Sequence, residues 1–440
     1  MAISPAEGVA ASDSKVSVGR VRWGICALLF FATTINYIDR QMISVLKPTL
    51  QGEYGWDEKT YANIVFSFQL AYAIGYVVFG RLIDKLGARF GYSLAATIWG
   101  VAAMAHAGAN NAWQFMMARF ALGLGESGNF PAGVKAVAEW FPKKERAFAI
   151  GIFNAGANIG AIVTPLIAPF LVMWFGWRTA FLFTGAIVFI WVICWWTIYR
   201  RPREKKNLSA AELAYIESDP ADAPGDVKWL PLLRHRQTWA YAIGKFMIDP
   251  VWWFFLFWLP SFFAQEHGLN LLTFGLPLAA IYIISDVGSV FGGWLSSKLI
   301  HRGWSVNKAR KTAMLVCALC VPPVMLAPGV ESVWGAVLLI GLATAAHQGF
   351  SANLYTLPSD LFPRKAVGAI IGIGGTLGAV GGMFMAQFTG FVLDATGSYM
   401  PMFVIAGSMY LLALLVIHLL VPNFEPANVD APAEGRAAGA

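Results

Sequence analysis

Apolar stretches long enough to cross a bilayer recur along almost the whole of this 440-residue chain, and that recurrence limits its folds more than any single motif. A hydrocarbon core about 30 Å thick is crossed by roughly 20 residues of α-helix at about 1.5 Å each. Read for apolar runs bounded by charges, Gly and Pro, the sequence predicts twelve such helices, at 22–47, 60–82, 90–108, 111–136, 146–172, 178–199, 238–265, 272–298, 311–328, 332–357, 366–393 and 399–421. In lipid every backbone polar group needs an internal partner, so an all-α polytopic membrane protein is the expected class. With 57% hydrophobic and only 13% charged residues, the composition lies far outside that of soluble domains.

One long connection, 200–237, is charged and Pro-bearing and separates six helices from six. The expected organisation is a tail (1–21), a six-helix bundle (22–199), a linker (200–237), a second bundle (238–421) and a tail (422–440). Of 32 Lys and Arg residues, 25 fall on the side of the termini and linker, and three, Lys47, Lys59 and Arg178, on the other. Arg40, Arg119, Lys135 and Lys245 fall within helices. The bias places both termini in the cytoplasm. It also accounts for the net charge of +7 without nucleic acid, since the basic residues cluster between apolar segments. The polar first 20 residues read as a tail, not a cleaved signal. Cys26, Cys194, Cys317 and Cys320 all sit in apolar segments, so neither a disulfide nor a metal site is expected.

The two halves repeat each other. Residues 139–160, EWFPKKERAFAIGIFNAGANIG, align without a gap on 360–381, DLFPRKAVGAIIGIGGTLGAVG, at an offset of 221. Earlier in the halves the offset is 212 to 213, pairing Pro48 with Pro260, Thr60 with Thr273, Gly75 with Gly288 and Gly80 with Gly293. Two six-helix bundles related by an axis along the membrane normal suit a transporter with a site between them.

Charges inside the apolar spans mark where that site lies, because each unpaired one costs on the order of 2.5–3.5 kcal/mol on insertion scales. In Asn36-Tyr37-Ile38-Asp39-Arg40 an acid and a base stand side by side in the first helix. In the fourth helix Arg119 and Glu126 are seven residues apart, two turns on one face, with Gly123 and Gly125 allowing close approach. If the two helices line one cavity, Asp39, Arg40, Arg119 and Glu126 form a balanced four-charge network, for transport or for architecture alone. Tyr72 in the second helix brings a hydroxyl within reach of a cavity or packs there. Asn154 and Asn158, at i and i+4 in the fifth, suit a neighbouring helix or a polyol. In the seventh helix Lys245 and Asp249 are also i, i+4, beside Pro250 and followed by Trp252 and Trp253. Charged partners for hydroxyls and aromatic faces for ring C–H groups would suit a sugar; an end-of-helix salt bridge is the alternative. His347, the equivalent of Glu126 at the 221 offset, and Gln348 complete the set from the tenth helix, with a packed, hydrogen-bonded residue as the alternative reading of the histidine. No HExxH, no nucleophile elbow and no closely spaced acid pair with a His is found, so neither an enzyme nor a cofactor is expected.

Gly80-Arg81-Leu82-Ile83-Asp84-Lys85-Leu86-Gly87-Ala88-Arg89 resembles the G-x-x-x-D-[RK]-x-G-x-[RK] signature of the major facilitator superfamily. That resemblance implies a gating role for Gly80, Asp84, Lys85 and Arg89, clamping helix ends on the cytoplasmic side. The second half keeps Gly293 and Lys298 but has Ser297 in place of the acid. Within the superfamily, NYIDRQMISVLKP, LGLGESGNFPAGVKAVAEWFP, GKFMIDPVWWFFLFWLPSFF and HQGFSANLYTLPSDLFPRKAVG resemble the anion:cation symporter family, most closely its bacterial hexuronate branch, and the likeness covers 22–421. It implies proton-coupled import of glucuronate or galacturonate by alternating access, in a bacterial inner membrane, by a chain expected to be a monomer. Asp39 and Glu126 match the family's protonatable carboxylates, Arg40 and Arg119 its arginines, and Tyr37 and Tyr72 its substrate-site tyrosines. Ala157 stands where the galactonate branch has a Gln, and the eleventh helix lacks an Asn, whereas Lys245 with Asp249 favours hexuronates. Galactonate or glucarate is the alternative cargo. A solute sensor on the same scaffold is the alternative of another class.

Overall fold

The computed structural model describes residues 19–219 and 229–429, apart from the side chains of Asp84, Lys143, Lys144, Ala147, Arg364 and Lys365. The first helix, α1 (Val21–Tyr54), runs a turn or more past the expected end, through Pro48, and stops at Gly55 in the left-handed conformation. Lys47, expected as the last residue of that helix on the side opposite the termini, therefore lies inside the helix and is buried. The next helix, Glu58–Ala105, breaks only at Gly87 (φ 77°, ψ 163°), giving α2 (58–86) and α3 (88–105). Lys143–Ile198 breaks likewise at Gly176 (φ 78°, ψ 161°), giving α5 (143–175) and α6 (177–198). These dihedrals are essentially restricted to glycine, so each expected loop shrinks to one residue. Between them lies α4, Ala112–Glu126 resuming as Asn129–Trp140 after a turn at Ser127-Gly128.

After the linker come α7 (Arg236–His267), α8 (Gly275–His301), α9 (Val306–Gly329, its last part 3-10), α10 (Val333–Leu361), α11 (Arg364–Thr396) and α12 (Met400–Leu420). Among the described residues nine helices are individually long and apolar enough to cross a membrane. Dividing Phe148–Ile198 at Gly176 and adding α3 and α4 gives the twelve spans, six on either side of the linker. Large apolar side chains such as Phe31, Ile193, Val290, Leu338 and Phe391 point outward. The polar groups Asn36, Asp39, Arg40, Arg119 and Glu126 are inside. This inverted surface is what a lipid solvent selects.

The halves meet along α2 with α11, α5 with α8, and α1 with α7. The seams are tight on the face where α1 ends. There the Asp394 carboxylate on α11 accepts from the Glu58 and Lys59 backbone N–H groups at 2.9 and 3.1 Å, adding from the other half to the cap that Asp57 gives α2 through the Thr60 N–H at 2.7 Å. Lys47 pairs with Glu58 at 2.6 Å, Trp258 Nε1 reaches the same carboxylate at 3.4 Å, and the Tyr61 hydroxyl donates to the Phe257 carbonyl at 3.0 Å. On the opposite face the seams part. Gly151 and Gly293 stand one heptad from Asn158 and Asp286, which meet across the α5–α8 seam. Gly368 stands one heptad from Gly375, which lies beside Tyr76 across the α2–α11 seam, and Gly80 one turn beyond Tyr76. A Cβ at Gly80, Gly151, Gly293 or Gly368 would meet nothing within 4 Å. A cleft between the halves thus opens toward the termini and linker.

The first part of the linker, 200–219, is fixed to the first half. Its helix Ala210–Ile216 carries Glu212, whose carboxylate accepts from the Val21 and Arg22 N–H groups at 3.3 and 3.2 Å. It supplies the cap that α1 does not provide for itself. Arg22 binds Glu145 at the start of α5 at 2.9 Å.

Candidate functional site

At the inner end of the cleft, Arg40 on α1 is the best-connected charge. Its Nε donates to Glu126 Oε2 on α4 at 2.8 Å and its Nη2 to Asn36 Oδ1, one turn back, at 3.2 Å. Four rings surround the guanidinium: Tyr37 (4.6 Å to the ring centre), Phe68 (5.4 Å), Tyr72 (4.8 Å) and, from the second half, Trp253 (5.3 Å). Arg40 is 2% exposed and Glu126 fully buried. A cation so enclosed is held by its ion pair and by the faces of the rings.

Among the described residues Arg119 makes no second ion pair. Both of its terminal nitrogens donate to the Arg40 main-chain carbonyl at 3.1 Å, a fork that fixes the α1 backbone at the residue carrying the charge. Both Asp39 oxygens are buried without a hydrogen-bond partner among the described residues. The expected four-charge network thus contains one direct pair in this conformation. Successive helical positions point about 100° apart, so Asp39 and Arg40 cannot both face Glu126. Glu126 Oε1 is likewise unpartnered.

The second half contributes Lys245 and Asp249 on α7, paired at 2.7 Å. Lys245 also donates to the Tyr355 hydroxyl at 2.8 Å and lies over that ring. Its burial at 3% exposure separates it from an end-of-helix salt bridge. A side chain at Gly378 on α11 would collide with the Asp249 carboxylate, so the glycine gives the acid its room. His347 is held by partners within its own half. Its ring stacks on Trp252 at 5.2 Å and its Nδ1 shares a 2.6 Å hydrogen bond with the Tyr410 hydroxyl. Gln348 is half-buried beside it. On α5, Asn154 is exposed and Asn158 bonds Asp286 of α8 across the seam.

Of the four residues expected to gate, Gly80 faces open space and Lys85 is exposed. Arg89 donates to the Trp196 carbonyl at 2.7 Å and stacks on that indole at 4.2 Å, both within the first half. The Asp84 side chain lies outside the described residues. Three side chains at the site were absent from the expectations. Asp286 carries the signal that singled out Asp39, an acid within an apolar span. Tyr355 and Gln69 carry no charge, so hydropathy alone does not raise them.

The profile of the Major Facilitator Superfamily matches residues 29–386. The chain is 32% identical to the hexuronate transporter of Escherichia coli (strain K12) over 413 residues, covering 92% of this chain and 94% of that protein. It is 33% identical over 316 residues to the galacturonate transporter of Dickeya chrysanthemi, covering 70% and 90%. To the D-galactonate transporter of Escherichia coli O6:H1 it is 28% identical, covering 92% and 96%. Its backbone is similar to that of a bacterial homolog of the human lysosomal transporter Spinster, crystallised in an inward-facing and occupied conformation. The TM-score is 0.75 at 17% identity, over 93% of this chain and 98% of that one.

Proposed function

The chain belongs to the Major Facilitator Superfamily and is thus a transporter and not an enzyme; from that premise we propose that it imports hexuronates, glucuronate or galacturonate, in symport with protons. The observation that carries this reading is Arg40, a buried cation at the junction of the halves whose ion pair leaves it able to exchange partners. A sugar-acid carboxylate matches a guanidinium fork bidentately, whereas Glu126 engages it through one oxygen. Protonation of Glu126 weakens its hold and releases the fork to the substrate. Asp39, buried with no hydrogen-bond partner for its carboxylate among the described residues, is the second site for a proton, since protonation there removes a buried charge. Lys245, Asp249 and Tyr355 supply donors and acceptors for hydroxyls, and Trp253 an apolar face for ring C–H groups.

Alternating access follows from the same charges. With substrate and protons bound, the site carries less uncompensated charge, and closing the cleft costs less desolvation than closing it over either alone. On the reading that the termini and linker lie in the cytoplasm, the conformation described is inward-facing. Asp394, Glu58, Lys47 and Trp258 then form the outer closure, and Gly80, Asp84, Lys85 and Arg89 belong to the inner gate that closes in the opposite state.

Uptake of labelled glucuronate and galacturonate into proteoliposomes, with and without an inward proton gradient, tests the reading. Accumulation above equilibrium only with the gradient, together with gradient-independent counterflow, is expected. Galactonate and glucarate belong in the same panel, because the D-galactonate transporter is a 28% identical relative. Accumulation of these acids and not of the uronates would reassign the cargo. No uptake of any sugar acid would point to a sensor.

A further inference from the structure

Gln69 on α2 is 1% exposed, and neither its Oε1 nor its Nε2 has a hydrogen-bond partner among the described residues. A primary amide buried without partners is costly in a protein interior. The internal repeat shows how it comes to be unpaired. At the offset of 213 Gln69 is the equivalent of Tyr282 on α8, and at 212 Gln41 on α1 is the equivalent of Trp253 on α7. In one copy, Gln41 Nε2 donates to the Tyr282 hydroxyl at 2.8 Å across the α1–α8 contact. In the other copy the mates are Trp253 and Gln69. Trp253 Cδ1 and Gln69 Nε2 lie 2.9 and 2.8 Å from the point where a Cβ on Gly382 would stand. The two side chains therefore meet at that glycine, and an indole carbon accepts no hydrogen bond. At the offset of 221 the equivalent of Gly382 is Ala161, so the second copy has also lost the methyl that would occupy this space.

The departure from symmetry sits at the site already described. Trp253 is one of the four rings around Arg40, and Phe68 and Tyr72, which flank Gln69 on α2, are two others. Arg40 and Gln69 thus lie against the same indole, one offering a fork for a carboxylate and the other an unpaired donor and acceptor.

We propose that Gln69 is a specificity residue that reads the hydroxyl groups of the bound sugar acid, its amide receiving from the substrate the partner that Tyr282 provides to Gln41 in the other copy. The assignment rests on the transport reading above. It predicts discrimination by hydroxylation, because an acid without ring hydroxyls leaves the amide unpaired in the loaded as in the empty protein.

The test compares wild type and Gln69→Leu, both full-length in proteoliposomes, for inhibition of counterflow by glucuronate and by tetrahydropyran-2-carboxylate, which keeps the ring and carboxylate but lacks the hydroxyls. Gln69→Leu is expected to weaken glucuronate by about 10- to 100-fold and to leave the deoxygenated acid within about twofold. In the empty protein, Gln69→Leu is expected to melt at or above the wild-type temperature, since an apolar side chain replaces an unpaired amide. Gln69→Met repeats both measurements should the Leu variant not fold. Weakening of both acids by one factor, an unchanged glucuronate value, or a lower melting temperature in both variants would overturn the assignment. If wild type takes up glucuronate and the two acids respond alike, only the role of Gln69 fails. If wild type takes up no sugar acid, the transport reading fails and this role with it.

Discussion

The two halves hold their buried charges in different ways. In the first, Arg40 and Glu126 stand on separate helices, 86 residues apart in sequence, and are joined by one hydrogen bond. In the second, Lys245 and Asp249 are i, i+4 neighbours on α7. A pair within one helix stays together whatever the bundle does, because the helix fixes its geometry. A pair between helices separates when a competing anion, a proton or a small helix shift intervenes. In the symport proposed above, the first half is therefore the one to register substrate and proton, and the second offers a fixed polar surface. Repeated sequence gives both halves one frame, and the placement of charge on it sets them apart.

Substitutions that remove the exchangeable cation should have the largest effect. Arg40→Ala leaves Glu126 charged and unpaired, and breaking a buried pair costs about 3–5 kcal/mol. Arg119→Ala removes both donors from the Arg40 carbonyl. Each is expected to abolish uptake and the thermal shift given by glucuronate; retention of that shift by Arg40→Ala would move the carboxylate site elsewhere. Next come the two carboxylates proposed to carry protons. Asp39→Asn and Glu126→Gln should lose gradient-driven accumulation and keep counterflow, and full accumulation by the double variant would remove both from the coupling scheme.

Changes in the second half should act on affinity. Lys245→Met alone leaves Asp249 unpaired, so it should lower the melting temperature more than Lys245→Met with Asp249→Leu, which removes both charges. The double variant should transport with KM raised roughly 10-fold and proton coupling intact. Loss of coupling would erase the distinction between the halves. The smallest effect belongs to the cap across the seam. Asp394→Ala should cost the closed face of the seam about 0.5–2 kcal/mol, seen as faster maleimide labelling of a cysteine placed at Asn63.

The sequence reaches far in this protein because the solvent is lipid. A charge in an apolar span is too costly to be incidental, so Asp39, Arg40, Arg119, Glu126, Lys245 and Asp249 stand out from hydropathy alone, as do twelve spans and a twofold repeat. The same rule applies to Asp286, an acid within the 272–298 span that the expectations did not include. Pairing is another matter. Asp39 and Arg40 are adjacent and opposite in charge, yet Arg40 binds Glu126 and Asp39 has no hydrogen-bond partner among the described residues.

Composition and periodicity therefore determined the fold class, the two halves and which spans carry charge, because each is a transfer-energy property of a segment. Tertiary structure alone decided the fork of Arg119 on a backbone carbonyl, the cap of α2 by Asp394, the face on which the cleft opens, and the unpaired amide of Gln69 beside Trp253. Those are relations between helices far apart in sequence, set by the rotation and depth at which each helix packs, and hydropathy along a single segment contains neither.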